Sequence, residues 1–142
     1  MGQQQLLLLV LATIIVGIAT VVGIQAFSQN NIKSNADAML NDAVRIASDA
    51  QAWAQKSAPF GGPTNYGEFT GASLANLGYQ TNAEGNYETL NGECSLGGIS
   101  AAGLTITCTN GELKNEVTAT VTGLTDDDVA GAIVRLGEEA TQ

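Results

Sequence analysis

LLLLVLATIIVGIATVVGIQAF, residues Leu6 to Phe27, is one apolar run, and no charged side chain precedes Lys33. As a helix it is long enough to span a bilayer, which takes about 20 apolar residues. The flank before it, Met1-Gly2-Gln3-Gln4-Gln5, carries no basic side chain. A secretory signal or a positive-inside anchor has Lys or Arg ahead of its apolar core. The expectation is therefore that a basic leader preceded residue 1 and was removed, as in a subunit handed from a membrane into an assembly.

Beyond the run, from about Gln29 to Lys56, the pattern changes with no proline to stop a helix. Apolar or small residues recur at Ile32, Ala36, Met39, Leu40, Ala43, Ile46, Ala47, Ala50, Trp53 and Ala54. Steps of three and four make this the stripe of an amphipathic helix. Lys33, Asp37, Asn41, Asp42, Arg45, Asp49 and Lys56 fall mainly on the other faces. The two stretches read as one helix of some fifty residues, roughly 80 Å long. Its first half needs lipid or other apolar helices. Its second half needs a small domain on its stripe, through Met39, Leu40, Ala43, Ile46 and Trp53. Gly17 and Gly23 each cost about 1 kcal/mol relative to Ala in a helix interior. They mark either a local unwinding or a close helix contact.

Pro59, Gly61, Gly62 and Pro63 end the helix. From Ala58 to about Gly78 we expect a structured loop with a turn of helix near Gly71 to Leu77. Asn91-Gly92 and Asn110-Gly111 then signal hairpin turns. Leu104–Thr109 and Val117–Thr122 alternate apolar residues with threonine or other polar residues, the pattern of a half-buried antiparallel sheet. The simplest register across Asn110-Gly111 pairs Cys108 with Leu113 and Leu104 with Val117. It puts Asn115 on the apolar face, so a bulge or irregular connection is expected there. Thr125 to Leu136 opens with three Asp and has Arg135 near its end, which predicts a short C-terminal helix. The fold class is thus α+β: a long N-terminal helix packed on a small antiparallel sheet. The organisation is 1–27 apolar half, 28–57 amphipathic half and 58–142 β-rich head.

The bulk composition narrows function. Net charge is −9 with pI near 4.1, which argues against binding DNA or RNA through phosphates. Histidine is absent, removing the commonest general base and transition-metal ligand. No nucleophile–base pair or metal cluster stands out, so no enzyme activity, cofactor or metal is expected. Asp126, Asp127 and Asp128 read as a helix cap rather than a calcium site. Cys94 and Cys108 form the cysteine pair, read as one structural disulfide of an oxidising compartment. Such a bridge is worth roughly 3 kcal/mol on the chain-entropy model.

The apolar helix, its amphipathic extension, the loop, the small sheet and the disulfide together resemble a type IV pilin. The specific part of the resemblance lies in roughly the first 55 residues. It implies a leader cut by a prepilin peptidase, with Met1 as the new N-terminus. It also implies helices packed side by side in a filament core and a dedicated assembly machinery. Gln5 stands where such pilins usually carry Glu; it still hydrogen-bonds but supplies no charge. Gly23 lies where bacterial members usually have proline. These departures place the chain in a divergent lineage.

A filament also follows from physics. A helix apolar on every face must be covered on every face, by lipid or by copies of itself. Burying some twenty apolar side chains at about 1.5–3 kcal/mol each supplies tens of kcal/mol before entropy is subtracted. Head-to-tail packing that does not close gives fibres. Met1, Gln5, Leu6, Leu9, Ile14, Ile18, Val22 and Phe27 are the residues expected to carry assembly. Gln3, Gln4 and Gln5 would need partners in that core, either each other across subunits or the N-terminal amine. The expected product is an extracellular homopolymeric filament serving adhesion, motility or uptake, held in the cytoplasmic membrane before assembly. The alternatives are a pseudopilin of a secretion system and a single-pass anchored binding protein.

Overall fold

A computed structural model of the chain describes residues 2–137. Met1 lies outside the described residues. Helix α1 runs unbroken from Gly2 to Ala54, 53 residues, or about 80 Å, and passes through Gly17 and Gly23 without unwinding. Five strands form one antiparallel sheet in sequence order: β1 (Tyr87–Glu88), β2 (Glu93–Gly97), β3 (Leu104–Asn110), β4 (Asn115–Val121) and β5 (Val129–Arg135). The α+β class expected from sequence is the one observed.

The core lies between the sheet and the second half of α1. Ala36, Met39, Ala43, Ile46, Ala47, Ala50, Trp53 and Ala54 are buried on the helix. Against them stand Leu104, Ile106 and Cys108 of β3 with Val117, Ala119 and Val121 of β4. Five of the eight helix residues are alanine, so the sheet approaches the helix backbone closely and the larger side chains fill the gaps between. Leu40 is partly buried against the same core. The other face of the sheet carries Thr105, Thr107, Thr118 and Thr120, paired as Thr105 with Thr120 and Thr107 with Thr118. Cys94 and Cys108 face each other directly across β2 and β3 and form the disulfide, both buried.

Three local expectations need correction. The segment after Thr125 is not a helix. Asp126–Asp128 makes one 3-10 turn, and Val129–Arg135 is strand β5, paired with β4. Aspartate at the start suited a helix, but Val129, Ile133 and Val134 are β-branched and Gly131 is a poor helix former. β4 also offers an edge whose backbone groups need partners. Gly131 crosses over the helix where a Cβ would lie 2.9 Å from Leu40 Cδ1, so the strand passes close above α1.

The register across β3 and β4 is also different. Cys108 pairs with Val117 and Leu104 with Val121. Asn110 Oδ1 accepts the N–H groups of Glu112 and Leu113 at 3.0 and 2.9 Å, and Lys114 takes a positive φ of 54°. These make a longer turn than the two-residue hairpin. The shift is an even number of residues, so every side chain keeps the face expected of it. Asn115 does point inward. The irregularity lies instead between β4 and β5, at Glu116/Val117.

The loop after α1 contains a 3-10 turn at Ala58–Phe60 and consecutive turns over residues 73–79, where the Leu77, Gly78 and Tyr79 N–H groups donate to Ser73 O, Ala75 O and Leu74 O at 3.1, 3.1 and 3.0 Å. It also supplies Phe69, Ala72 and Leu74 to the core, a contribution that no periodicity in the sequence announces.

Candidate functional site

The surface with the most to say about function is the bare half of α1. Every residue from 2 to 31 is exposed except the half-exposed Gly23. Four successive leucines make the point: Leu6, Leu7, Leu8 and Leu9 are 67, 68, 63 and 66% exposed. At 3.6 residues per turn they look in four directions around the axis, so nothing among the described residues covers this helix on any side. Ile14, Ile18, Val22 and Phe27 continue the same surface. The segment is long and apolar enough to cross a membrane.

Its two threonine hydroxyls are turned onto their own helix. Thr13 Oγ1 donates to Val10 O and Thr20 Oγ1 to Val16 O, both at 2.8 Å. Such bonds let a threonine enter an apolar environment without an unpaired polar group. The side-chain amides of Gln3, Gln4, Gln5 and Gln25 make no hydrogen bond within the described residues.

At the level where the bare half ends, asparagines tie the head to the helix. Asn115, 2% exposed, donates from Nδ2 to Ile32 O at 2.8 Å and to Asn35 Oδ1 at 2.9 Å. Its Oδ1 accepts the Gly137 N–H at 3.0 Å. Asn35 and Asn110 both donate to Asn91 O, at 2.9 and 2.6 Å. Asn91 Nδ2 donates to Asp42 Oδ2 at 2.9 Å. Two hairpin turns are thereby fastened to one stretch of helix. At the far end, Gln51 Nε2 donates to Gly123 O and Thr125 O at 2.9 and 2.8 Å, and Trp53 Nε1 donates to Gly61 O at 2.8 Å. The head is thus hydrogen-bonded to the helix at both ends.

The side chains expected to pack the head are placed together: Met39, Ala43, Ile46 and Trp53 buried, Leu40 partly so. Residues Gln5 to Phe27 lie on one free rod. Asn35, Asn91, Asn110 and Gln51 were not singled out by sequence as a fastening. The Asn-Gly pairs read only as turns, and nothing in a single sequence says that turn asparagines reach a helix far away in the chain.

The remaining polar groups of the head serve its own loops. Asp128 accepts the Thr125 hydroxyl and N–H at 2.5 and 3.0 Å, and the hydroxyl first, then the N–H, hold its carboxyl below the usual range. Tyr79 donates to Asp49; burial, followed by that bond, pushes its hydroxyl well above the ordinary tyrosine range. Among the described residues no cluster of three or more Asp, Glu, Cys or His side chains is placed to hold a metal ion.

The architecture, a long apolar N-terminal helix on an antiparallel sheet with a disulfide, is compatible with a pilin-like fold. No family model, curated protein or solved structure matches the chain.

Proposed function

We propose that this chain is the structural subunit of an extracellular type IV pilus-like filament, polymerising through residues 2–31 of α1. The observation that carries the reading is an apolar rod exposed on its whole circumference and joined without a break to a head packed and hydrogen-bonded on the same helix. A membrane covers such a rod before assembly, and copies of the same rod cover it afterwards. A regular polymer also needs every head at one angle to its helix, and the asparagine fastening at Ile32 and Asn35 favours that. Prepilin peptidase and a pilus assembly machinery are the partners this reading requires.

The test is electron microscopy and mass spectrometry of material sheared from the cell surface. Thin filaments composed mainly of this chain, beginning at Met1, are the expected result. Filaments in which it is a trace component would point to a pseudopilin. Recovery only as detergent-extracted monomers would overturn the filament and leave a single-pass anchor carrying a binding head.

A further inference from the structure

The chain holds one tripeptide twice, Asn91-Gly92-Glu93 and Asn110-Gly111-Glu112, at two turns that meet where Asn110 Nδ2 donates to Asn91 O. Asparagine before glycine is the pairing that cyclises most readily, because glycine has no side chain to hinder the approach of its nitrogen to the asparagine Cγ. In an unfolded chain the shared tripeptide gives both asparagines similar reactivity, so the fold is what separates them.

At the first turn the reacting groups are occupied. The Gly92 N–H donates to Thr89 Oγ1 at 3.1 Å. The Asn91 amide donates to the Asp42 carboxylate at 2.9 Å, a charge-assisted bond. Gly92 is also crowded, since a Cβ there would lie 2.5 Å from Thr109 O. At the second turn Gly111 is exposed, and a Cβ on it would meet nothing within 4 Å. Its N–H has no hydrogen-bond partner among the described residues. Asn110 Oδ1 already accepts the Glu112 and Leu113 N–H groups at 3.0 and 2.9 Å. Those donors face the oxygen on which negative charge develops when a nucleophile adds to Cγ, the arrangement that stabilises such an addition. The side-chain bond that Asn110 gives up is the neutral one from Nδ2 to Asn91 O, at 2.6 Å.

We propose that Asn110 modifies itself. The Gly111 nitrogen bonds to Cγ, the Cγ–Nδ2 bond breaks, and the nitrogen's proton leaves with the amide as ammonia. Water then cleaves the resulting succinimide at either nitrogen–carbonyl bond, leaving aspartate or isoaspartate at position 110. The new carboxylate sets acceptor against acceptor where Nδ2 met Asn91 O, so the β3–β4 turn loosens from the β1–β2 turn. The site lies in the head and works the same way whether lipid or other copies cover the bare half.

Peptide mapping by mass spectrometry of the full chain, held in mildly alkaline buffer, tests this. In the folded, oxidised protein Asn110 should convert about tenfold faster than Asn91, the factor that a hydrogen bond on the attacking nitrogen is worth. In denaturant with the disulfide reduced, the two should convert at similar rates. Equal rates in the folded head, or Asn91 first, would overturn the assignment. So would a folded head in which neither converts while the unfolded chain does. Gly111→Ala, which the open space there admits, should slow conversion at Asn110 and leave Asn91 as it was. Unslowed conversion would mean direct hydrolysis of the amide and overturn the ring closure. Asn110→Asp should quicken amide exchange at Asn91 and Gly92, and unchanged exchange there would overturn the loosening.

Discussion

One helix carries two halves that obey different rules. From Ile32 to Ala54 it alternates small buried residues with Asp37, Asn41, Arg45 and Ser48 outside, and it gains its stability from the sheet on its stripe. From residue 2 to 31 it has no preferred face and no partner among the described residues. The backbone is the same throughout; only the side chains assign one half to a folded head and the other to an environment outside the monomer. The difference teaches that exposure of apolar surface is informative when it is complete around the circumference. A one-sided patch invites one partner, whereas a bare cylinder needs lipid or a ring of neighbours.

The largest effect should come from putting a charge in each half in turn. Ile14→Asp places a carboxylate at the middle of the bare rod, a cost of about 2.5–3.5 kcal/mol on membrane-insertion scales. Filaments and stable membrane insertion should be lost, while the head of the expressed protein keeps its thermal transition. Ala47→Asp buries a charge in the core between helix and sheet and should unfold the head, with loss of cooperative melting. Circular dichroism and microscopy on both variants check this. If Ile14→Asp melted the head, the two halves would not be the independent regions described.

Next in size is the disulfide. Replacing Cys94 and Cys108 together by alanine should lower head stability by about 3 kcal/mol, read from denaturant midpoints. The bridge ties β2 to β3 and touches nothing in the bare half, so the apolar rod should still enter membranes as before.

Asn115→Ala should follow, at about 2–3 kcal/mol, because it removes two donors from Ile32 O and Asn35 Oδ1 and leaves the buried Gly137 N–H unpaired. It sharpens the comparison, since Asn115 sits where the halves meet. Amide exchange should quicken first at Asn35, Ala36 and the β3–β4 turn. Unchanged exchange there would remove its role as a fastening.

Much of this was legible in the sequence, for reasons that differ by element. The apolar run is legible by its length and the stripe from Ile32 to Ala54 by its steps of three and four, and the threonine alternation of β3 and β4 fixed which side chains face inward. The partners were less legible. Asn115 read as an interruption of an apolar face because its ligands, Ile32 O and Asn35, lie some eighty positions away. Val129 to Val134 is a short apolar run whose period is ambiguous, and the open edge of β4 decided it. Phe69 and Leu74 entered the core from a loop whose spacing carried no signal. For the bare half, what the sequence could give was the need for cover.

The smallest expected effect is on acidity, and it too divides the molecule. Glu93 accepts from Asn86 Nδ2 and Asn82 Nδ2 at 2.9 and 2.8 Å, and these bonds, Asn86 first, hold its carboxyl below the ordinary glutamate range. A lowered carboxylate pKa contributes stability that is present above the unfolded value and lost as pH falls through the folded one. Acid should therefore loosen the 82–93 loop and leave the bare half untouched, since no ionisable side chain occurs from Gln3 to Ile32. By NMR, Asn86→Ala should raise the Glu93 midpoint toward the ordinary value, and Asn82→Ala should raise it less. A Glu93 midpoint that neither substitution moves would mean that this loop is held by its backbone bonds, Asn82 N to Asn86 O and Thr89 N to Gly92 O, and that acid reaches the head elsewhere.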